Sequence, residues 1–403
     1  MSLTNFDSVV VLSPYAWNLR DDIGGWQTTH HVAGEFARLK PTIFVESSAP
    51  WNIRADQFRV KRLFPSVAGA RTYSPHDDLI VFRRRAVPFG RHPRIRNFDL
   101  RRNARALRTL LAEQGFRRPL LWHSFPYWSE PLIEAVQASF FAYHCLDYSP
   151  LEEETRLVKR ADMVFCVSET LVEKFLPLNP HTRLLPNGVN LALFDRKRAA
   201  EQPRPAELPT RGRLLGFVGS INRHLDLELL VEVAEAFPDD HVLIGGRVLP
   251  NETAPVGRQK EALATLRTRP NVRFLGFVPT ARLPLYFYTF DVCMIPFQNN
   301  EFNRECDPLK FYQYAAMGTP IVTTPVPVAE RYPDLCYMGG TPGEFIQRVR
   351  EALAEPKDAE VVPRRLEIAQ AHGWPSLVAR AFEQMAEVGP APSAAVRRGG
   401  APR

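Results

Sequence analysis

The sequence predicts an α/β protein made of two doubly wound domains, each a parallel sheet with helices on both faces. Short apolar runs alternate with helical stretches from Ser8 to about residue 190. A proline-bearing stretch without periodicity, Ala199 to Arg211, breaks the pattern, and a second alternation begins at Leu214. Buried strands alternating with helices are the signature of parallel sheets joined by crossovers. With 403 residues, 45% of them hydrophobic, the chain has enough apolar surface for two cores. The expected division is residues 1–198, a linker at 199–212, a second domain at 213–373, a terminal helix at 374–388, and a tail at 389–403 that is low in complexity and expected to be disordered.

In the first domain, Ser8 to Pro14 reads as a buried strand running into Gly24-Gly25-Trp26 and a helix. A strand, glycines and a helix start let backbone approach a phosphate or sugar closely. No Gly-x-Gly-x-x-Gly is present, so a dinucleotide fold is not supported. Thr42 to Glu46, Leu79 to Phe82 and Arg118 to His123 read as strands, and Asn103 to Gln114 as a helix. A further strand, Phe140 onward, ends at His144-Cys145-Leu146-Asp147-Tyr148. Ligands of such sheets lie beyond the carboxyl ends of the strands, which makes His123, Asp147 and Tyr148, with Trp26 on the glycine turn, candidates for chemistry. In the second domain, Leu214 to Gly219, His241 to Gly246, Val272 to Gly276 and Val292 to Pro296 read as strands, with helices at Asp226 to Phe237 and Ala281 to Thr289.

Five scattered cysteines, Cys145, Cys166, Cys293, Cys306 and Cys336, show no Cys-x-x-Cys spacing, so neither a disulfide framework nor a zinc site is indicated. No apolar run approaches the roughly 20 residues of a membrane span, and the first residues lack signal-peptide character. The expectation is a cytoplasmic protein. The net charge of +7 is concentrated between Arg83 and Arg108, where Asp99 is the only acid. Such a segment can meet anionic lipid at the inner face of a membrane, a polyanionic acceptor or nucleic acid, or be a solvated face. Nucleic acid is the weakest of these, because no recognition motif accompanies the arginines.

The rest of the chain is organised around Glu305-Cys-Asp307-Pro308-Leu309-Lys310-Phe-Tyr-Gln313-Tyr-Ala-Ala-Met-Gly318-Thr-Pro320. Asp307 reads as an N-cap, Pro308 as the first helical residue and Gly318 as the stop. Unpaired amides and the positive end of the helix dipole, beside Lys310, make a seat for a phosphate. Glu305 and Gln313 can flank what the seat holds, which suits a ligand carrying both phosphates and hydroxyls.

This run resembles the signature of family-4-type retaining glycosyltransferases of the GT-B fold, most closely the version in bacterial cell-surface polysaccharide transferases. Ala161-Asp162, Ser168-Glu169 and Pro186-Asn187-Gly188-Val189-Asn190 are similar to further features of that family, with Asn190 where Asp is usual. Two other departures are Gln313 in place of a second Glu, and Ser220 in place of the Arg that follows the glycine after the first strand of the second domain.

The resemblance implies two Rossmann-like domains facing across a cleft, with Gly373-Trp374-Pro375 turning a terminal helix back onto the first domain. It implies a nucleoside-diphosphate sugar, UDP- or GDP-linked, held by Gly24, Gly25, Gly219, Ser220, Arg223, His224, Asp307, Pro308, Leu309, Lys310 and Gln313. Arg223 and Lys310 would offset the charge of the departing diphosphate, Glu305 would hold sugar hydroxyls, and His144 would steady the sugar at its reacting carbon. No metal or other cofactor is expected, since no Asp-x-Asp is present. The acceptor would be a glycan, a lipid-linked or a small molecule. Two alternatives stay open: a nucleotide-sugar 2-epimerase, and a non-catalytic member that binds nucleotide sugar or scaffolds an assembly.

Overall fold

The computed structural model describes residues 6–18, 27–46, 72–84, 93–124, 130–147, 149, 152–249, 254–356 and 358–388. Gly24, Gly25, Trp26, Tyr148 and the tail lie outside the described residues.

The first domain contains β1 (Ser8–Leu12), α1 (Thr28–Leu39), β2 (Thr42–Glu46), β3 (Thr72–His76), β4 (Leu79–Arg83), α2 (Pro93–Glu113), β5 (Pro119–His123), α3 (Glu130–Val136), β6 (Phe140–Cys145), α4 (Glu152–Arg160), β7 (Met163–Cys166), α5 (Glu169–Phe175) and β8 (Thr182–Leu184). Its sheet runs β3-β4-β2-β1-β5-β6-β7-β8, parallel except for the edge strand β3. Side chains alternate between faces along each strand. Val10 and Leu12 therefore join the core under α2 and α3, while Val9 and Val11 join the core under α1.

The second domain contains α6 (Arg196–Ala200), β9 (Leu214–Val218), α7 (Leu227–Ala236), β10 (His241–Gly245), α8 (Arg258–Thr268), β11 (Val272–Gly276), α9 (Leu283–Thr289), β12 (Val292–Ile295), α10 (Glu301–Arg304), α11 (Leu309–Met317), β13 (Ile321–Thr323), α12 (Pro327–Arg331), β14 (Tyr337–Met338), α13 (Pro342–Ala354) and α14 (Val361–Ala371). Its sheet is parallel throughout in the order β11-β10-β9-β12-β13-β14. The chain leaves β9 on one side and returns to it on the other at β12. Such a switch opens a crevice at the carboxyl ends of the two strands, where open α/β sheets bind ligands.

The chain crosses between domains twice, and the crossings touch. Val189 N–H donates to His372 O at 2.9 Å, and Val189 and Gly373 form a parallel bridge. A Cβ on Gly188 would stand 2.7 Å from His372 O, so only glycine lets the two strands of chain pass. The last helix, α15 (Trp374–Val388), then buries Trp374, Leu377, Phe382 and Met385 in the first domain's core.

Several elements differ from the sequence reading. The stretch 199–212 is not a free linker, because Ala199 and Leu208 are buried in the second domain's core and Arg273 donates to Glu207 O. α2 begins ten residues before Asn103, taking in the arginine-rich segment from Pro93 onward, since arginine is a good helix former. α8 was not expected. Its N-cap is Gly257, which has φ of 52° and offers no side-chain cap, and its sequence is largely polar.

Candidate active site

Asp307 does not cap α11. Pro308 occupies the N-cap position, and no side chain caps the helix. The Asp307 carboxylate, 1% exposed, turns instead to the first domain, where it accepts from Asn187 N–H at 2.6 Å; it also accepts from the Tyr312 hydroxyl at 3.0 Å. Asn187 Nδ2 donates back to Asp307 O at 2.7 Å, and Thr28 Oγ1 donates to Asn187 Oδ1 at 2.7 Å. Thr28 is the first residue of α1. One chain of hydrogen bonds thus ties the start of α1 to the start of α11, and Leu309 packs against the first domain's core. The amide-rich start of α11 therefore faces the first domain with its orphan N–H groups open to a ligand.

Burial pushes the Asp307 carboxyl up to about 7, against the pull of Arg331, Asn187 N–H and the Tyr312 hydroxyl. Asp307→Ala would leave the Asn187 amide and the Tyr312 hydroxyl without their acceptor. The expected cost is about 2 kcal/mol, read as a lower midpoint in denaturant unfolding. An unchanged midpoint would remove this carboxylate from the tie between domains.

Lys310 lies on the first turn of α11 and crosses the end of β9. A Cβ on Gly219 would stand 2.5 Å from Lys310 Nζ, so the absence of a side chain at Gly219 makes room for the lysine. Lys310 Nζ sits 5.5 Å from the centre of the Phe217 ring, and among the described residues no carboxylate forms an ion pair with it. Burial lowers its pKa, opposed by Cys306. A half-buried cation without a counter-ion, beside free helix amides, is a site that an anion would complete.

The loop after β9 is fixed to the loop after β12. Asp226 N–H donates to Pro296 O, Gln298 N–H to His224 O, and Asn303 Nδ2 to His224 O. Gly246 holds the other side. It has φ of +129°, and a Cβ there would stand 1.8 Å from Gly219 O, so the β9 and β10 ends touch backbone to backbone. Arg223 is exposed, with Nε 3.3 Å from His224 Nε2. The His224 ring stacks on Phe302 at 4.0 Å, and burial first, then Arg223, lowers its pKa. Of the two, Arg223 is the side chain able to bring charge to a diphosphate near neutral pH. Ser220 is exposed and Gln313 is half-buried on the second turn of α11.

Glu305 is 6% exposed and points at the first domain, where Lys174 Nζ lies 3.4 Å from its carboxylate. Ser168 Oγ donates to Glu305 O, Thr170 Oγ1 to Arg304 O, and Arg331 holds Glu169 through paired bonds of 2.6 and 2.7 Å. These contacts close α5 onto the α10–α11 turn. Sequence reasoning missed Lys174, Thr28 and Arg331, whose partners Glu305, Asn187 and Glu169 are more than a hundred residues away. Asn187 had a signal in Pro-Asn-Gly, but it was read as a turn.

The first-domain candidates separate. Asp147 is open to solvent at the gap yet surrounded by protein, which pushes its carboxyl up to about 7; it acts electrostatically on both Tyr15 and Cys306 and so lies near each domain. His123 is buried against Phe141 and Tyr143. His144 is a correction. It is 1% exposed, its ring 5.2 Å from Trp122, in a small cavity lined also by Val32, Leu185, Trp374, Leu377 and Val378. Its side chain lies on the α15 face of the sheet, and burial pushes its pKa down to about 3. It is a packed neutral imidazole under the returning helix.

Residues 212–355 match the family model described as "Glycosyl transferases group 1". Over 291 residues the chain is 27% identical to a Bacillus subtilis (strain 168) protein named as a proposed teichuronic acid biosynthesis glycosyltransferase, TuaH, covering 65% of this chain and 70% of that protein. Among solved structures it is similar to the sucrose-phosphate synthase (tll1590) of Thermosynechococcus elongatus, with TM-score 0.71 and 17% identity over 95% of this chain and 99% of that one. It is also similar to Anabaena Alr3699/HepE in complex with UDP-glucose, with TM-score 0.62 and 14% identity over 94% and 99% of the two chains. Residues 212–355 are thus a glycosyl transferases group 1 domain, and the chain that carries it is a glycosyltransferase of the GT-B fold.

Proposed function

We propose that the chain is a retaining glycosyltransferase that moves a sugar from a UDP- or GDP-sugar to a polysaccharide, lipid-linked or small-molecule acceptor in the cytoplasm, without a metal ion. The observation that carries this reading is Lys310, half-buried and without a counter-ion among the described residues, beside the uncapped start of α11 and lying across Gly219. Breaking the glycosyl–phosphate bond puts negative charge on the departing diphosphate. Donors already aimed at that charge need no reorganisation as it develops, and this is the largest contribution such a site makes. Lys310, the amides of Leu309 and Lys310, and Arg223 supply it here.

Gln313, on the same helix, would bond the donor ribose, where an amide both donates and accepts. Glu305 would accept from sugar hydroxyls once Lys174 shares it. On the acceptor side Asp147 replaces His144 as the residue nearest the chemistry. A carboxyl held near 7 can take a proton from an attacking hydroxyl at neutral pH. The relative named for teichuronic acid biosynthesis supports a cell-surface polymer as acceptor, and the neighbour complexed with UDP-glucose supports a UDP-sugar donor.

The test incubates the protein with a panel of UDP- and GDP-sugars and acceptors and follows release of nucleoside diphosphate and the anomeric configuration of the product. Acceptor-dependent release with retained configuration is expected. Turnover of donor without any acceptor would favour the epimerase, and tight nucleotide binding without turnover would favour a non-catalytic member.

A further inference from the structure

We propose that the outer face of α2 is a docking surface for an anionic lipid bilayer. At 3.6 residues per turn, Arg94, Phe98, Arg101, Arg105 and Arg108 fall within an arc of about 80° along the helix. All five are exposed, and Phe98, at 62%, is the one exposed Phe, Tyr or Trp among the described residues. Ala104, Leu107, Leu110 and Leu111 point to the opposite side and anchor the helix in the first domain's core.

The helix's acids are off this stripe. Asp99 is half-buried and paired with Arg102 at 3.0 Å, and Glu113 stands about a quarter-turn away, near the far end. Among the described residues no carboxylate pairs with Arg94, Arg101, Arg105 or Arg108. A solvated face needs no exposed phenyl ring among its arginines. A ring flanked by unpaired guanidinium groups matches the boundary between head groups and acyl chains, where the ring leaves water and the arginines meet lipid phosphates. That combination favours a bilayer over a soluble polyanion, which would reward the arginines and leave the ring in water.

The placement also suits the fold. α2 joins β4 to the parallel β5, so its first turns lie toward the carboxyl edge of the sheet, the edge that carries Asp147 and meets α11. A bilayer against Arg94 and Phe98 would lie beside the acceptor side of the gap.

The test is cosedimentation of the full chain with vesicles of phosphatidylcholine containing about 30% phosphatidylglycerol, beside vesicles of phosphatidylcholine alone. Binding is expected to the anionic vesicles only, and to fall as salt is raised from about 0.1 M to 0.5 M. R101E/R105E should weaken it by at least about tenfold and Phe98→Ser by about tenfold, with unfolding midpoints unchanged because these side chains are exposed. Equal binding to neutral vesicles, no binding to either, or salt-independent binding would overturn the proposal. Binding that soluble polyglutamate abolishes and Phe98→Ser leaves intact would also overturn it, making the stripe a polyanion site. No sugar donor is present in this experiment, so its failure and a failure of transfer are separate results.

Discussion

Replacing Lys310 with alanine is expected to weaken UDP or GDP binding by about 10- to 150-fold, the range for a hydrogen bond to a charged group. Transfer should fall further, by about two to three decades in turnover, because the charge that Lys310 meets grows as the glycosyl bond breaks. The structure explains why no neighbour can substitute. Gly219 leaves a gap that the lysine fills, Arg223 is exposed to solvent where its charge is screened, and the His224 ring is stacked on Phe302 with its pKa lowered. Lys310→Arg should not restore activity fully, since the longer fork must pass the same Gly219 backbone. Calorimetry with the nucleoside diphosphate gives the binding loss, and single-turnover transfer gives the rest. Unchanged affinity in Lys310→Ala would place the diphosphate elsewhere.

The second large effect concerns His144 and pH. Its folded pKa of about 3 lies below the ordinary histidine value, so the unfolded chain binds a proton that the folded chain refuses. The stability it allows is fully present above pH 6.5 and is lost as pH falls from 6.5 toward 3. A His144→Leu variant has no such loss. The difference in unfolding free energy between variant and wild type should therefore shift by about 3 kcal/mol in the variant's favour between pH 8 and pH 4. Taking the difference cancels the opposing pH response of Asp307 and Asp147, whose carboxyls are raised to about 7 and favour the folded state as pH falls. A difference that does not vary with pH would mean that the imidazole is solvated in the folded protein, as a residue touching the donor sugar would be.

Much of this arrangement was legible in the residues. The apolar runs of β1, β6, β9 and β12 announce buried parallel strands, and Gly318, at φ of +66°, ends α11 where expected. Lys310 and Gly219 were brought to one site by the family resemblance, and a Cβ on Gly219 would stand 2.5 Å from Lys310 Nζ. Asp307 shows where that reasoning stops. An aspartate before Pro-Leu-Lys is a good cap in isolation, but here Asn187, more than a hundred positions earlier, offers its amide at 2.6 Å and wins the carboxylate. Glu305 is redirected in the same way by Lys174.

His144 failed for a countable reason and a hidden one. Alternation along β6 puts Tyr143 and Cys145 in one core and Phe140 and Ala142 in the other, so a face could have been assigned to His144. Which face α15 would cover depends on the return of the chain at Gly373, and no local pattern encodes that. α2 was read short because its apolar periodicity begins only at Ala104, although the helix itself begins at Pro93.

The central claim is that the diphosphate of a nucleotide sugar sits between the start of α11 and the end of β9, facing the first domain. A crystal structure of the protein with UDP bound addresses it most directly. The account predicts the diphosphate oxygens within hydrogen-bonding distance of the Leu309 and Lys310 amides and of Lys310 Nζ, over Gly219. Density for the diphosphate away from these groups, with Lys310 still lying across an empty Gly219, would contradict it.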